Sequence, residues 1–174
     1  LDTPDVAIRE GRAQCLVLLG HLLKIINGPG GGNAIRVKHD ESIANAADRL
    51  RMESTVLEGI LDLFYSHESS EFGDRYILSK EKRTLMVGWM LILAIRAEPQ
   101  CVLEPGSFAA LATELKMRGG DVGAQYRELG CVTMRVNGLG GGTKVTLMPH
   151  SSEEKTLANY FPGLKLGGKK PGGR

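Results

Sequence analysis

Ser42-Ile-Ala-Asn-Ala-Ala-Asp-Arg-Leu-Arg-Met52 returns in degraded form as Ser107-Phe-Ala-Ala-Leu-Ala-Thr-Glu-Leu-Lys-Met117, 65 residues further on. Five of the eleven positions are identical, and Ile/Phe and Arg/Lys are conservative pairs. A repeat at domain-sized spacing means one small fold used twice, and it directs attention to the surfaces where the copies differ. An apolar helical run precedes each copy: Leu16-Val-Leu-Leu-Gly-His-Leu-Leu-Lys-Ile-Ile26 and Leu85-Met-Val-Gly-Trp-Met-Leu-Ile-Leu-Ala-Ile95. An amphipathic run follows each. Leu57, Ile60, Leu61 and Phe64 fall at i, i+3, i+4, i+7, and Val122, Gln125, Tyr126 and Leu129 repeat the spacing with one polar change. These are helical faces, so each unit reads helix, loop, helix, short turn, helix.

The punctuation of the chain extends this pattern. Helices are expected over residues 4–27, 41–50, 54–65, 80–97, 107–118 and 121–129. Ser54 or Thr55, Ser79, Ser107 and Asp121 are expected as caps, Asp2 or Thr3 caps the first helix, and Gly130 closes the last. A short extended piece is expected at Ile35-Arg-Val-Lys38. The glycine run 28–32 reads as a flexible connection. Cys131-Val-Thr-Met-Arg-Val136, the turn Asn137-Gly138 and Thr143-Lys-Val-Thr-Leu-Met148 make a β-hairpin. Three helices and then a hairpin is the order of a winged-helix domain. The expected fold is therefore mostly α with small β wings (α+β), a tandem winged-helix of two three-helix units packed together. Residues 1–78 form the first unit, with only a vestigial wing over 66–78. Residues 79–150 form the second, with a β-hairpin wing, and 151–174 are a partly disordered C-terminal extension. Units of roughly 70 to 80 residues bury only about 60% of their unfolded surface, which favours packing one on the other.

Composition narrows the function. Three scattered cysteines, Cys15, Cys101 and Cys131, show no C-x-x-C pairing and read as free thiols. The histidines His21, His39, His67 and His150 are too dispersed for a zinc site. The longest apolar run, 85–95, is too short to span a bilayer. The chain opens on Leu1 and reads as a fragment of something longer. Gly138-Leu-Gly-Gly-Gly142-Thr-Lys144 misses the phosphate-loop spacing and joins two strands. No nucleophile, base and orienter can be assembled, so no catalytic residue, metal or cofactor is expected. Trp89, in the apolar fourth helix, reads as core.

Charge is the informative quantity. Residues 1–78 carry 8 Lys/Arg against 12 Asp/Glu, a balance of −4, and residues 79–174 carry 14 against 8, a balance of +6. The third helix of the first unit holds Glu53, Glu58 and Asp62 with no Lys or Arg, which repels phosphate and suits protein contact. In the second unit Lys116, Arg118 and Arg127 flank the equivalent helix, diluted by Asp121 and Glu128. The wing adds Arg135 and Lys144, and the start of the fourth helix adds Lys80, Lys82 and Arg83. These eight basic residues are the candidate DNA-binding set. They suit phosphate contact without base reading, because Asn and Gln for base edges are nearly absent and Gln125 is expected on the packed face.

Several segments also resemble a known family. Ile77-Leu-Ser-Lys-Glu-Lys-Arg-Thr-Leu-Met86 leads into an apolar helix. Leu115-Lys-Met117, Tyr126-Arg-Glu-Leu-Gly-Cys131, Lys144-Val-Thr-Leu-Met-Pro149 and Phe161-Pro162 follow in order. Over about residues 10–162 this is similar to the C-terminal half of the RNA polymerase I subunit of the TFIIF-like heterodimer, with Leu129-Gly-Cys131 its most specific piece. The resemblance implies a TFIIE-like tandem winged-helix and a non-catalytic role in initiation and elongation on ribosomal RNA genes in the nucleus and nucleolus. It implies double-stranded DNA, bound non-specifically, and other RNA polymerase I subunits, including the TFIIF-like partner, as partners, with no membrane. Departures from the pattern are Val132, where the family commonly has a basic residue, and an apparent insertion over 151–160. The family's N-terminal dimerisation module is not in this sequence. The competing reading is a protein–protein docking module of a transcription complex without direct DNA contact.

Overall fold

A computed structural model describes residues 4–28, 32–38, 41–71, 73–137 and 141–147. The sequence expectations for Asp2, Thr3, His39, Gly138, Met148, His150 and the extension 151–174 fall outside these residues.

The chain is α+β, with six α-helices and two three-stranded antiparallel sheets among the described residues. In order these are α1 (Pro4–Asn27), β1 (Ala34–Lys38), α2 (Ile43–Leu50), α3 (Ser54–Phe64), β2 (Ser66–Ser70) and β3 (Gly73–Ile77). Then come α4 (Lys80–Ala97), β4 (Val102–Leu103), α5 (Pro105–Glu114), α6 (Gly119–Glu128), β5 (Cys131–Val136) and β6 (Gly142–Leu147). Each half runs α-β-α-α-β-β. Each sheet has the same order, β1-β3-β2 and β4-β6-β5, with the last strand of the half in the middle.

The repeat is visible at the level of single hydrogen bonds. Helix α2 ends with Arg51 in the left-handed region (φ 52°), its N–H bonded to the Asp48 carbonyl and the Met52 N–H to the Ala47 carbonyl. Sixty-five residues later Lys116 (φ 54°) donates to Thr113 and Met117 to Ala112. This double bond closes the carbonyl end of a helix and turns the chain sharply. The register then persists: Glu53 and Arg118 are the N-caps of α3 and α6, Ser54 and Gly119 their first residues, and Ser66 and Cys131 the first residues of β2 and β5.

The caps partly differ from expectation. Ser42 and Ser79 accept hydrogen bonds from the N–H groups of Asn45 and Lys82, as N-caps do. Helix α3 starts behind Glu53, α5 behind Glu104 with Pro105 in its first turn, and α6 behind Arg118, none with a side-chain cap bond. Ser54, Ser107 and Asp121 thus sit inside their helices. Proline's fixed φ starts α5 two residues early, and the left-handed turn at Lys116 stops it at Glu114, short of the expected 118. The hairpin over 66–78 is not vestigial: β2 and β3 pair over five residues, and β1 extends the sheet on the other side. Its polar composition, Ser-His-Glu-Ser-Ser, concealed a strand whose side chains are mostly solvated.

One hydrophobic core runs through both halves. Its most buried members include Leu22 of α1, Leu57 and Leu61 of α3, Met86, Met90, Leu91 and Ile95 of α4, Val122 and Tyr126 of α6, and Val145 of β6. Each such aliphatic side chain contributes ~1.5–3 kcal/mol on burial. Helices α1 and α4, the long first helix of each half, pack along each other more extensively than any other helix pair. The Asn27 amide crosses between the halves to the Glu114 carbonyl, 2.9 Å. Two buried tyrosine hydroxyls stitch the interior, Tyr65 to the Gly32 carbonyl (2.8 Å) and Tyr126 to the Leu91 carbonyl (3.0 Å). Burial pushes the Tyr65 phenol up to about 12, tempered by the Arg83 charge. Burial also raises Tyr126, with a smaller push from Cys131. Gly32 is a packed position and not a flexible one. At φ +67° any Cβ there would stand 2.8 Å from the Ile25 carbonyl oxygen. Trp89, expected in the core, is 41% exposed, because α4 turns its other face to α1.

Candidate nucleic-acid interface

The matched helices α3 and α6 present opposite chemistry at the same positions. Glu53, Glu58 and Asp62 of the first half correspond, 65 residues on, to Arg118, Gly123 and Arg127. The three acids are exposed, and so are both arginines. Over the whole stretch the formal charge moves from −3 for residues 53–64 to 0 for residues 118–129, because Asp121 and Glu128 offset the arginines. At the cap the contrast is sharpest. A carboxylate at an N-cap complements the positive end of the helix dipole, as Glu53 does. Arg118 adds a cation to a terminus that is already positive, which costs the helix a few tenths of a kcal/mol and favours an anion nearby.

The recess beside this terminus has a volume of about 490 Å3. Its floor is the glycine face of α6, Gly119, Gly120 and Gly123, and its far wall is the β5–β6 hairpin with Thr133, Arg135, Gly142 and Thr143. The Arg127 guanidinium reaches across to the Thr133 hydroxyl oxygen, 3.1 Å. The strand period places Cys131, Thr133 and Arg135 on one face of β5, opposite Leu147, Val145 and Thr143. Arg135 therefore stands over the same recess as Arg127, with Arg118 at its helical edge and Lys116 two residues earlier in the α5–α6 turn.

The other candidates lie elsewhere. Lys144 is on the opposite face of the hairpin and forms an ion pair with Glu104 at 2.7 Å. Lys82 donates to the Tyr65 carbonyl at 2.6 Å, and Arg83 to the Asn33 side-chain oxygen at 2.8 Å. Both tie the start of α4 to the first half. Lys80 is exposed at the first position of α4. The first half of α4 lies by the C-terminal end of α6, where Thr84 and Leu85 share a groove with Glu128 and Leu129. That end is about 15 Å along the helix from Arg118.

A second basic cluster, absent from the sequence reading, forms on the first sheet. Arg36 and Arg75 are register partners on β1 and β3, and with Lys38 and Arg49 they line an open cleft of about 710 Å3. Glu41 pairs with Arg49 there, and Asp74 and Glu41 interleave the charge. The alternation Ile35-Arg-Val-Lys38 already placed both cations on one strand face, but the opposing Arg75 needed the register.

No charged side chain is buried among the described residues, and no three His, Cys, Asp or Glu there are grouped to hold a metal ion. No described helix is long and apolar enough to cross a membrane. The three cysteines are free, and burial raises the Cys131 thiol.

Two small antiparallel sheets, each with three helices, make the described residues an α+β fold. Residues 4–157 match the A49-like RNA polymerase I associated factor family, and the chain belongs to it. No curated protein matches it. Membership makes the chain an accessory, non-catalytic factor of transcription by RNA polymerase I, with other polymerase I subunits as partners and a nuclear setting.

Proposed function

We propose that the chain is a tandem winged-helix module that holds DNA against RNA polymerase I without reading its sequence. In this reading residues 1–78 and 79–150 are the two winged-helix units and 151–174 an extension. The second unit touches phosphates during initiation and elongation on ribosomal RNA genes in the nucleolus, beside a TFIIF-like partner. The observation that carries the reading is the charge exchange on the matched helices: Glu53 and Asp62 become Arg118 and Arg127, and Arg135 joins Arg127 over one recess next to Arg118. The α-β-α-α-β-β order of each half supports the winged-helix assignment. Lys116, Arg118, Arg127 and Arg135 are the core of the phosphate contact. Lys82, Arg83 and Lys144 act mainly in holding the fold, and Lys80 lies outside the main contact.

Anisotropy of a labelled duplex, titrated at several salt concentrations, tests this. Four phosphate contacts predict a slope of log K against log salt of about −3.6. Changing Arg118, Arg127 and Arg135 together to Glu is expected to abolish binding, whereas Lys144→Glu leaves most of it. Unchanged affinity in the triple variant overturns the proposal. The exposed acids Glu53, Glu58 and Asp62 favour a second role for α3, docking on a basic protein surface of the polymerase.

A further inference from the structure

Helix α4 is apolar on more than the face it buries. Met86, Val87, Met90, Leu91, Ala94 and Ile95 are buried, yet Leu85, Trp89 and Ile92, spaced i, i+4, i+7, remain 48%, 41% and 37% exposed. Gly88 lies among them, and a Cβ added there would meet nothing within 4 Å. Leu129, 38% exposed, and Gln125 of α6 form the facing wall, and the groove between the helices measures about 240 Å3. An exposed apolar strip facing a second helix is a candidate docking surface.

We propose that this groove is the seat of the chain's own C-terminal segment, Leu157-Ala-Asn-Tyr-Phe161. Strand β6 ends at Leu147, whose ladder partner is Cys131, two residues past the groove residue Leu129. The chain therefore leaves the sheet within ~12 Å of the groove, taking ~5.5 Å across the ladder and ~3.3 Å per residue along it. Nine residues, 148–156, separate Leu147 from Leu157, and they span up to about 30 Å. Leu157, Tyr160 and Phe161 recur at i, i+3, i+4, one helical face, and Pro162 ends any helix there. Lys155 and Lys165 flank the segment, and Glu128 stands on the groove's rim. A short tether supplies an effective concentration on the order of millimolar, so weak intrinsic affinity suffices.

Trp89 is the only tryptophan in the chain and reports on the groove directly. In the full chain its emission is expected to be blue-shifted and poorly quenched by acrylamide at every protein concentration. Phe161→Ala and Leu157→Ser, both outside the described residues, are expected to shift the emission to the red and raise quenching while circular dichroism stays unchanged. Gly88→Gln, which fills the groove floor and favours the helix, is expected to speed tryptic cleavage after Lys155 and Lys165. Equal quenching in the wild-type and Phe161→Ala chains overturns the proposal. So does protection that grows with protein concentration, which makes a second copy the occupant, or protection that arises only on adding polymerase subunits.

Discussion

Lys116→Gly is expected to stabilise the protein and weaken its proposed grip on DNA in one step. Lys116 holds φ 54° at the end of α5, where its N–H closes the helix on the Thr113 carbonyl. In that region the Cβ of an L-residue crowds the following carbonyl, a cost of about 1–2 kcal/mol that glycine avoids. Glycine loses more backbone entropy on folding, about 0.5–1 kcal/mol relative to alanine, so the net gain is of the order of 0.5–1 kcal/mol. For a chain of this size about 1 kcal/mol corresponds to ~2–4 °C in Tm. The same substitution removes one cation beside Arg118, so the slope of log K against log salt should become shallower by about 0.9. Differential scanning calorimetry reads the first effect, and duplex anisotropy over a salt series the second. Arg51→Gly is the internal control, because it relieves the matched strain (φ 52°) in the half with the acidic helix. It should raise Tm comparably and leave the salt slope close to wild type. A fall in Tm for Lys116→Gly refutes the strain argument. An unchanged slope removes Lys116 from the interface. A slope loss equal in both variants means the first unit touches DNA as much as the second.

Tyr126→Phe deletes the buried hydroxyl bond to the Leu91 carbonyl and is expected to cost about 1 kcal/mol in urea denaturation. Both buried phenols have folded-state pKa values above their unfolded value, Tyr65 at about 12. Their contribution to stability is therefore complete below the unfolded pKa of about 10 and is lost as pH rises toward the folded value. Stability should fall above pH ~10 by up to about 1.4 kcal/mol per pH unit for each group, a loss that denaturation midpoints across that window would show and Tyr65→Phe would reduce. Met90→Ala, at a fully buried position of α4, is expected to cost about 2–5 kcal/mol. Because α1 and α4 share one core, it should lower a single transition seen alike by Trp89 fluorescence and circular dichroism. Two separated transitions would show halves that unfold independently.

What could be read from the sequence was set by local chemistry. Helix α1 follows from apolar periodicity, and the start of α4 from its Ser79 cap. The repeat was legible because the sharp turn that ends α2 and α5 needs the same apolar residues, Leu50-x-Met52 and Leu115-x-Met117, at fixed offsets. What escaped was non-local. Strand β2 has no apolar alternation, and only its pairing with β3 makes it a strand. Arg36 meets Arg75 through register, and Lys144 meets Glu104 across forty residues of chain. Trp89 could not be oriented, because α4 is apolar nearly all round and its periodicity does not say which face meets α1.

The proposed interface lies where the two halves were free to diverge. Two of the core positions in the matched helices, Leu57 with Val122 and Leu61 with Tyr126, stay buried and apolar or aromatic because packing constrains them. The solvent positions carry no such constraint, and there Glu53 and Asp62 give way to Arg118 and Arg127. The exchange at the cap does not improve the fold on its own terms. Arg118 opposes the dipole of the helix it caps, whereas Arg127, in the last turn of α6, suits that dipole and donates to the Thr133 hydroxyl. A cation placed against its own helix dipole, next to a recess floored by glycines, is what the proposed contact with an outside anion would explain. The acidic copy, whose Glu53 suits its own helix dipole, carries no such mismatch at its cap, and its α3 is the surface proposed to meet a protein.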